Sequence, residues 1–150
     1  MKSIFNPADV AELNARIDKL TAQSQPAWGQ MSAGQMLAHC NVSYEMVYDN
    51  KHAKPNPVIK LLIKMAAKKT VVGTKPYKKG MPTAPAMKMT GDKNFKTEKK
   101  RLVDYLHKTE QLGEAHFDGR ESLSFGRLTK GQWNTMFYKH LDHHLTQFGV

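Results

Sequence analysis

Helical periodicity is the feature that most constrains the fold of this 150-residue chain. Apolar residues recur at the spacing that places them on one face of an α-helix, and such a face must be buried against another element. The first segment with this pattern runs from about residue 7 to residue 22. Its apolar face carries Val10, Leu13, Ile17 and Leu20.

Capping signals predict where the helices begin. Asn6 precedes a proline that suits the first helical turn. Ser32 with Gln35, and Thr129 with Gln132, have the spacing of a capping box, in which each residue's side chain bonds to the other's backbone N–H group. The sequence thus predicts three further long helices: Ser32 to near Asn50, about Asn94 to Leu112 with Gly113 ending it, and about 130 to 148.

The segment between the second and third long helices is irregular. A short helix can begin at Pro57, and the run TVVGTKPYKKGMPTAPAMKMTGD after it, with three prolines and three glycines, predicts a long loop. No segment is convincing as a strand. We therefore expect one domain, residues 1–150, of the all-α class. The expected architecture is an antiparallel four-helix bundle with a long, lysine-rich excursion between its second and third helices.

Charge is concentrated in that excursion. Residues 51–100 contain fourteen lysines against Asp92 and Glu98, whereas the rest of the chain has slightly more acidic than basic residues. One alternative is a nucleic-acid-binding module formed by residues 51–100, since clustered lysines suffice for phosphate contacts. The composition argues against nucleic acid as a partner, because the excess is entirely lysine and the only aromatic residues there are Tyr77 and Phe95.

The short helix in the excursion is itself amphipathic. Lys60, Lys64 and Lys68 recur every four residues. The other side carries Ile59, Leu62, Ile63 and Ala66. Such a helix can cover the bundle with its lysines solvated, form a basic lid that attracts an anionic substrate, or lie on an anionic membrane.

The cysteine content and the hydropathy indicate a cytoplasmic protein. Cys40 is the only cysteine, so no internal disulfide is possible, and we expect it to be a small core residue. No stretch approaches the roughly 20 apolar residues that a membrane span needs. The N-terminal stretch lacks the apolar core of a secretory signal. Glu45 is expected to be solvated.

The last helix places histidines on its apolar face. A helical projection puts His140 and His144 on one stripe with Trp133, Phe137, Leu141 and Phe148, and puts His143 at the margin. Histidines four residues apart in a helix can chelate one transition metal ion. His39 shares a face of the second helix with Met36, Ser43 and Val47, which makes it the candidate third ligand. Gln147 lies close enough on the projection to orient a ligand or a water.

Histidines on apolar faces have a simpler explanation as well. A buried histidine bonded to one neighbour is common in cores, and the chain could be a metal-free helical interaction scaffold. Three histidines from two helices that converge in a bundle core would instead leave coordination positions open, as catalytic metal sites do.

Two stretches, WGQMSAGQMLAHC and KHLDHHLTQFG, resemble the DinB-like (YfiT-like) superfamily of metalloenzymes. The segments PTAP, EKKRL and FGRLTKGQW are similar to a branch of that superfamily with the same His-Leu-Asp-His-His ending. The resemblance implies a four-helix bundle that holds a divalent ion (nickel, zinc or manganese). By motif, its ligands fall on His39, His140 and His144.

The same resemblance implies a class of chemistry. Characterised relatives include thiol transferases and isomerases that use low-molecular-weight thiols, and dimers are common among them. We therefore expect a metal-dependent enzyme, of thiol S-transferase or hydrolase type, that acts on a small-molecule substrate. The metal would act as a Lewis acid that lowers the pKa of a water or thiol. His143 and Gln147 are then candidates for the residues around the ligands.

Overall fold

The computed structural model describes residues 2–49 and 51–150. Within them the chain forms five α-helices: α1 (Pro7–Asp18), α2 (Ala33–Tyr48), α3 (Pro57–Val72), α4 (Phe95–Phe117) and α5 (Lys130–Gln147). A 3-10 helix, Pro85–Met87, lies in the long loop before α4. Two short strands, β1 (Glu121–Ser122) and β2 (Gly126–Arg127), pair antiparallel between α4 and α5. The protein is therefore mostly helical, as the sequence predicts.

The helices begin where the capping signals place them. The Asn6 side chain accepts hydrogen bonds at the start of α1, and both predicted capping boxes, at Ser32 and Thr129, are present. α1 is shorter than predicted and ends at Asp18, because the backbone then tightens into bonds from Lys19 to Arg16 and from Leu20 to Ile17. The predicted end of α2 near Asn50 lies outside the described residues; α2 is described to Tyr48.

Gly113 interrupts α4 as predicted, although one more turn follows it. Its φ of 72° breaks the helical backbone, and the continuation to Phe117 buries that ring completely. The prediction that the chain has no strands is wrong for the β1–β2 hairpin. Strands of two residues are too short to produce the alternating pattern by which strands are recognised in a sequence.

α2 lies at the centre of the packing. It contacts both α4 and α5, while α1 also contacts these two helices and α3 contacts α5. Nearly every side chain from Ala33 to Glu45 is buried. The core combines apolar faces of four helices: Val10, Leu13 and Ile17 of α1; Met36, Leu37, Cys40 and Tyr44 of α2; Leu102 and Leu106 of α4; Trp133, Phe137, Leu141 and Leu145 of α5. The two helices that carry the candidate ligands thus pack directly against each other.

The orientation of α3 differs from one of the three interpretations that the sequence leaves open. In that interpretation the helix covers the bundle with its apolar side and keeps its lysines in water. Instead, Lys60 Nζ lies 2.7 Å from Glu121 Oε1 and Lys68 Nζ lies 3.2 Å from the carbonyl oxygen of Phe125, while Leu62 is 56% exposed. The hairpin offers polar partners to the lysine side, and the sequence pattern of α3 alone could not show this.

Glu45 is also not the solvated side chain that the sequence suggests. It is 9% exposed and is held by Arg101, by His52 at 2.9 Å and by Lys51. Its partners come from α4 and from the segment after α2, so the network depends on tertiary packing. No helix formed by the described residues is long and apolar enough to cross a membrane.

Candidate metal centre

Three histidines from two helices meet in the structure. One ring nitrogen each from His39 of α2 and His140 and His144 of α5 lies within 4.8 Å of the other two. His39 and His144 are buried, and His140 is half-buried. These are the residues that the projection and the resemblance select, and helix packing brings together side chains a hundred positions apart in the chain.

The three rings surround a small common space. Their centroids are separated by 4.9 Å between His39 and His140, 4.7 Å between His39 and His144, and 4.9 Å between His140 and His144. The Nε2 atoms of His39 and His140 are 2.9 Å apart. The spacing of His140 and His144 follows from the helix, since residues four apart lie one above the other on the same face.

Each ring is held by a hydrogen bond at its Nδ1 atom. His39 Nδ1 lies 2.8 Å from the carbonyl oxygen of Met87, which follows from the position of the 3-10 helix in the long loop. His140 Nδ1 lies 3.1 Å from the hydroxyl of Ser43, one turn after His39 in α2. His144 Nδ1 lies 2.8 Å from Gln147 Oε1. These contacts leave Nε2 as the ring nitrogen for a ligand, and in the structure the Nε2 atoms of His39 and His140 lie within hydrogen-bond distance of each other.

These partners determine where the ring protons lie. A backbone carbonyl only accepts, so His39 carries its proton on Nδ1 and has a lone pair on Nε2. The amide of Gln147 is oriented by Trp28, whose carbonyl oxygen accepts from Gln147 Nε2 at 2.5 Å. Gln147 therefore presents its oxygen to His144, and His144 also has its lone pair on Nε2. Ser43 can donate or accept, so His140 can adopt either tautomer.

The surroundings keep these imidazoles neutral. Burial is the main cause that lowers the pKa of His39, and the hydrogen bond to Met87 opposes it only in part. Burial and the neighbouring His144 and His39 hold the pKa of His140 well below its usual value. Burial, then His39, lowers the pKa of His144 to about 3. Neutral imidazole is the form that binds a metal ion, so three neutral rings with a nitrogen each within 4.8 Å of the others suit a divalent transition metal once His140 carries its proton on Nδ1.

One family comparison matches the chain over nearly its whole length. A family model described as "Protein of unknown function (DUF1569)" matches residues 5–149. The chain belongs to this family. No curated protein and no solved structure matches the chain. For this DUF1569 chain, the chemistry of the site must therefore be argued from its own residues.

His143 lies outside the histidine group of the DUF1569 chain. Its ring packs edge-on against Trp28, at 5.9 Å between centroids, against Tyr77, at 5.5 Å, and against His144, at 5.1 Å. Lys79 Nζ lies 4.3 Å from the centre of the Trp28 ring. His143 therefore belongs to an aromatic wall beside the three histidines, and its contact with them is with His144.

Two of the three lysines proposed as a basic lid have partners in the hairpin segment. Lys60 and Lys68 bond to the hairpin segment, and Lys64 is exposed. Lys139 of α5, which the sequence did not single out, donates through Nζ to the carbonyl oxygens of Thr70 at 2.7 Å, of Lys75 at 3.2 Å and of Gly73, and so fixes the end of α3. Its Nζ also lies 4.4 Å from the centre of the Tyr77 ring, whose centroid is 6.4 Å from that of His140.

Sequence reasoning missed most of the atoms that orient the imidazoles. The Met87 and Trp28 carbonyl oxygens are backbone atoms of loops, and nothing in a residue pattern marks them. Ser43 was visible as a residue on the same helix face as His39, four positions on. That spacing was a usable signal, because a hydroxyl one turn from a ligand is well placed to reach a ligand from a facing helix.

Proposed function

We propose that this chain is a metal-dependent enzyme in which His39, His140 and His144 bind one divalent ion. We further propose that α1, α2, α4 and α5 form an antiparallel four-helix bundle of the DinB-like type. The packing of α2 and α5 against each other, and of α1 and α2 against α4 and α5, supports this arrangement. The motif resemblance supports it independently of the packing.

The observation that carries the proposal is the fixed tautomer of His39 and His144. A buried histidine that serves only the core needs one partner and any tautomer. Here both rings are held by a hydrogen bond at Nδ1, which leaves the lone pair on Nε2, and one nitrogen of each ring lies within 4.8 Å of the other two histidines. Metal-binding histidines show the same arrangement, because the outer hydrogen bond orients the ring and raises its basicity.

The chain's own residues assign the remaining roles. A divalent ion bound here would supply Lewis acidity toward a water or a thiol. Met87 and Gln147 would hold the two fixed ligands in place, and Ser43 would let His140 present Nε2. The aromatic wall of Trp28, Tyr77 and His143 would exclude water from one side of the site and contact a small-molecule substrate.

We infer thiol S-transferase or hydrolase chemistry for this site. Three protein ligands would leave coordination positions for a substrate group or a water, which both reactions require. The thiol sulfur would have to come from a low-molecular-weight co-substrate, because Cys40, the only cysteine, is fully buried in the core and burial raises its pKa. A hydrolase would need no thiol, so dependence of turnover on an added thiol separates the two.

Metal analysis of the purified protein tests the binding step. The protein is produced without a histidine tag, and its nickel, zinc and manganese content is measured by elemental analysis. We expect close to one ion per chain, most of it lost in His39→Ala, His140→Ala or His144→Ala. His143→Ala is the matched control, since it removes an adjacent histidine outside the group and should keep the ion.

Two outcomes would contradict the metal assignment. A metal-free protein whose unfolding temperature does not change when nickel, zinc or manganese is added would favour a helical interaction scaffold. Equal metal loss from His143→Ala and His140→Ala would show that the ion is bound non-specifically. Catalysis is tested afterwards with a low-molecular-weight thiol and an electrophilic acceptor, and separately with ester substrates; turnover by the metal-loaded protein should vanish in His140→Ala.

A further inference from the structure

The exposed apolar surface of the described chain is concentrated on α3. Seven large apolar side chains are at least about a third exposed, and five of them belong to this helix. They are Val58 (68%), Ile59 (45%), Leu61 (55%), Leu62 (56%) and Met65 (75%). Single exposed apolar residues need no explanation, but five on one 16-residue helix form a contiguous patch of the kind that marks an interaction site.

The attachment of α3 keeps this patch outward. Lys60 and Lys68 hold one side of the helix to the hairpin segment, and Lys139 binds carbonyl oxygens at its C-terminal end. Ile63 and Ala67, on the inner side, pack against the core. The helix cannot rotate to bury Leu62 and Met65 without breaking these bonds. The bonds therefore keep the apolar face exposed.

Positive charge surrounds the patch. Lys54, Lys64 and Lys69 are exposed within or next to α3. An open groove of about 670 Å³ between α3 and the start of α5 is lined by both apolar and positively charged side chains. It is lined by Leu61, Met65, Val72, Lys64, Lys68, Lys69, Gly73 and Gln132. Residues 51–100 contain fourteen lysines and only two acidic residues.

We propose that α3 docks this protein on an anionic lipid membrane. A helix with an apolar face and flanking lysines lies in the interface plane, with its apolar side chains among the upper acyl chains and its amines near lipid phosphates. Sixteen residues at about 1.5 Å each give a contact about 24 Å long, parallel to the surface. The protein would be peripheral.

Charge argues against the other occupants of the patch. A second copy placed on the same face would bring two clusters of exposed lysines together, and like charges across an interface oppose association. Nucleic acid would satisfy the lysines but would leave five large apolar side chains in water. An anionic bilayer offers both an apolar layer and negative charge at the depth where each is required.

Vesicle co-sedimentation of the full-length protein tests the docking. We expect binding to vesicles of phosphatidylcholine with phosphatidylglycerol, little binding to phosphatidylcholine alone, and release by high salt. The double variant Leu62→Glu/Met65→Glu should lose at least tenfold in partitioning. Leu112→Glu, an exposed apolar residue of α4 (36% exposed), is the matched control and should bind like the original protein.

The lysines are tested separately from the apolar face. Lys64→Gln and Lys69→Gln should each weaken binding to anionic vesicles about fivefold, as expected for one lysine near a charged surface. The depth of insertion can be read with a fluorophore on Met65→Cys, because Cys40 is fully buried and does not compete for the label. Its emission should shift to the blue with anionic vesicles.

Three results would overturn the proposal. The first is absence of binding to anionic vesicles by a protein of unchanged circular dichroism. The second is equal binding by Leu62→Glu/Met65→Glu and Leu112→Glu. The third is a stable dimer in sedimentation analysis that only the α3 variant dissociates, because the patch would then be covered by a second copy. None of these measurements involves bound metal, so they are independent of the proposed enzymatic function.

Discussion

Gln147 Oε1 lies 2.8 Å from Nδ1 of His144, and this contact links a candidate ligand to the loop before α2. The link exists because the Gln147 amide also donates to the carbonyl oxygen of Trp28 at 2.5 Å. The backbone of a loop thereby determines which nitrogen of His144 is free.

Replacing Gln147 with methionine should weaken metal binding without unfolding the protein. Methionine has a similar volume, but its thioether is only a weak acceptor for the His144 Nδ1–H group, and loss of such an outer partner typically costs about 10- to 100-fold in affinity. Titration of the apo protein with zinc against a competing chelator measures the change. Gln111→Met, at an exposed position of α4, is the control and should leave the affinity unchanged.

Gly29→Ala should displace the Gln147 side-chain amide that bonds to His144. Gly29 has a φ of +83°, and a Cβ built on it would lie 2.7 Å from Gln147 Nε2. Alanine at a positive φ costs about 1–2 kcal/mol in any case. Gly119→Ala provides the comparison, since its φ is +71° and a Cβ there meets nothing within 4 Å. Both variants should be destabilised to a similar extent, and only Gly29→Ala should also lose zinc affinity. Equal affinities would show that the Gln147 position does not matter to the ion.

Ser43→Ala should lower metal affinity by a smaller factor than Gln147→Met. The Ser43 hydroxyl lies 3.1 Å from His140 Nδ1 and is the group through which His140 can place its proton away from Nε2. Thr135→Val is the matched control, because it removes another buried hydroxyl that bonds only to the Gly131 carbonyl oxygen. Zinc affinity that falls in Thr135→Val as much as in Ser43→Ala would contradict this role.

Glu45→Gln should destabilise the protein at neutral pH and lose its effect in acid. Burial alone would raise the pKa of Glu45, but the hydrogen bonds of Arg101 and His52 and the nearby charges outweigh it, so the pKa lies below its usual value of 4.5. A lowered folded-state pKa stabilises the protein above pH 4.5, and this contribution is lost as the pH falls through the folded-state pKa. We expect a loss of about 1–2 kcal/mol at pH 7 for this partly exposed network.

Chemical denaturation of Glu45→Gln and the original protein between pH 3 and pH 7 tests the direction of this pH dependence. The difference from the original protein should shrink toward zero at the acid end. Glu114→Gln is the control, because its ion pair with Lys130 is exposed on both sides and should contribute little at any pH. A difference that grows on acidification would contradict the prediction.

Lys139→Met should loosen the end of α3. The amine of the buried Lys139 bonds to three carbonyl oxygens and lies 4.4 Å from the centre of the Tyr77 ring, so its removal breaks all of these contacts at the end of α3. We expect a loss of about 1–3 kcal/mol and faster hydrogen exchange in residues 57–75. Lys96→Met, at an exposed position of α4, should change neither quantity.

Much of the local structure of this protein could be predicted from its sequence alone. Helix starts at Asn6, Ser32 and Thr129 and the break at Gly113 follow from side-chain and backbone bonds within a few residues, and such bonds leave a readable pattern. The pairing of His140 with His144 on one stripe is local in the same way, since it depends only on the helical repeat.

Only the tertiary structure decided which groups meet across the chain. It brought His39 to the α5 histidines, placed the Met87 and Trp28 carbonyl oxygens against the imidazoles and Gln147, and buried Glu45 beside Arg101. It also placed Lys60 and Lys68 of α3 against the hairpin segment and left Leu62 exposed. An amphipathic pattern fixes two faces of a helix, but which face packs inward depends on the partners that distant segments offer, and the free energies of those contacts are not encoded in the helix itself.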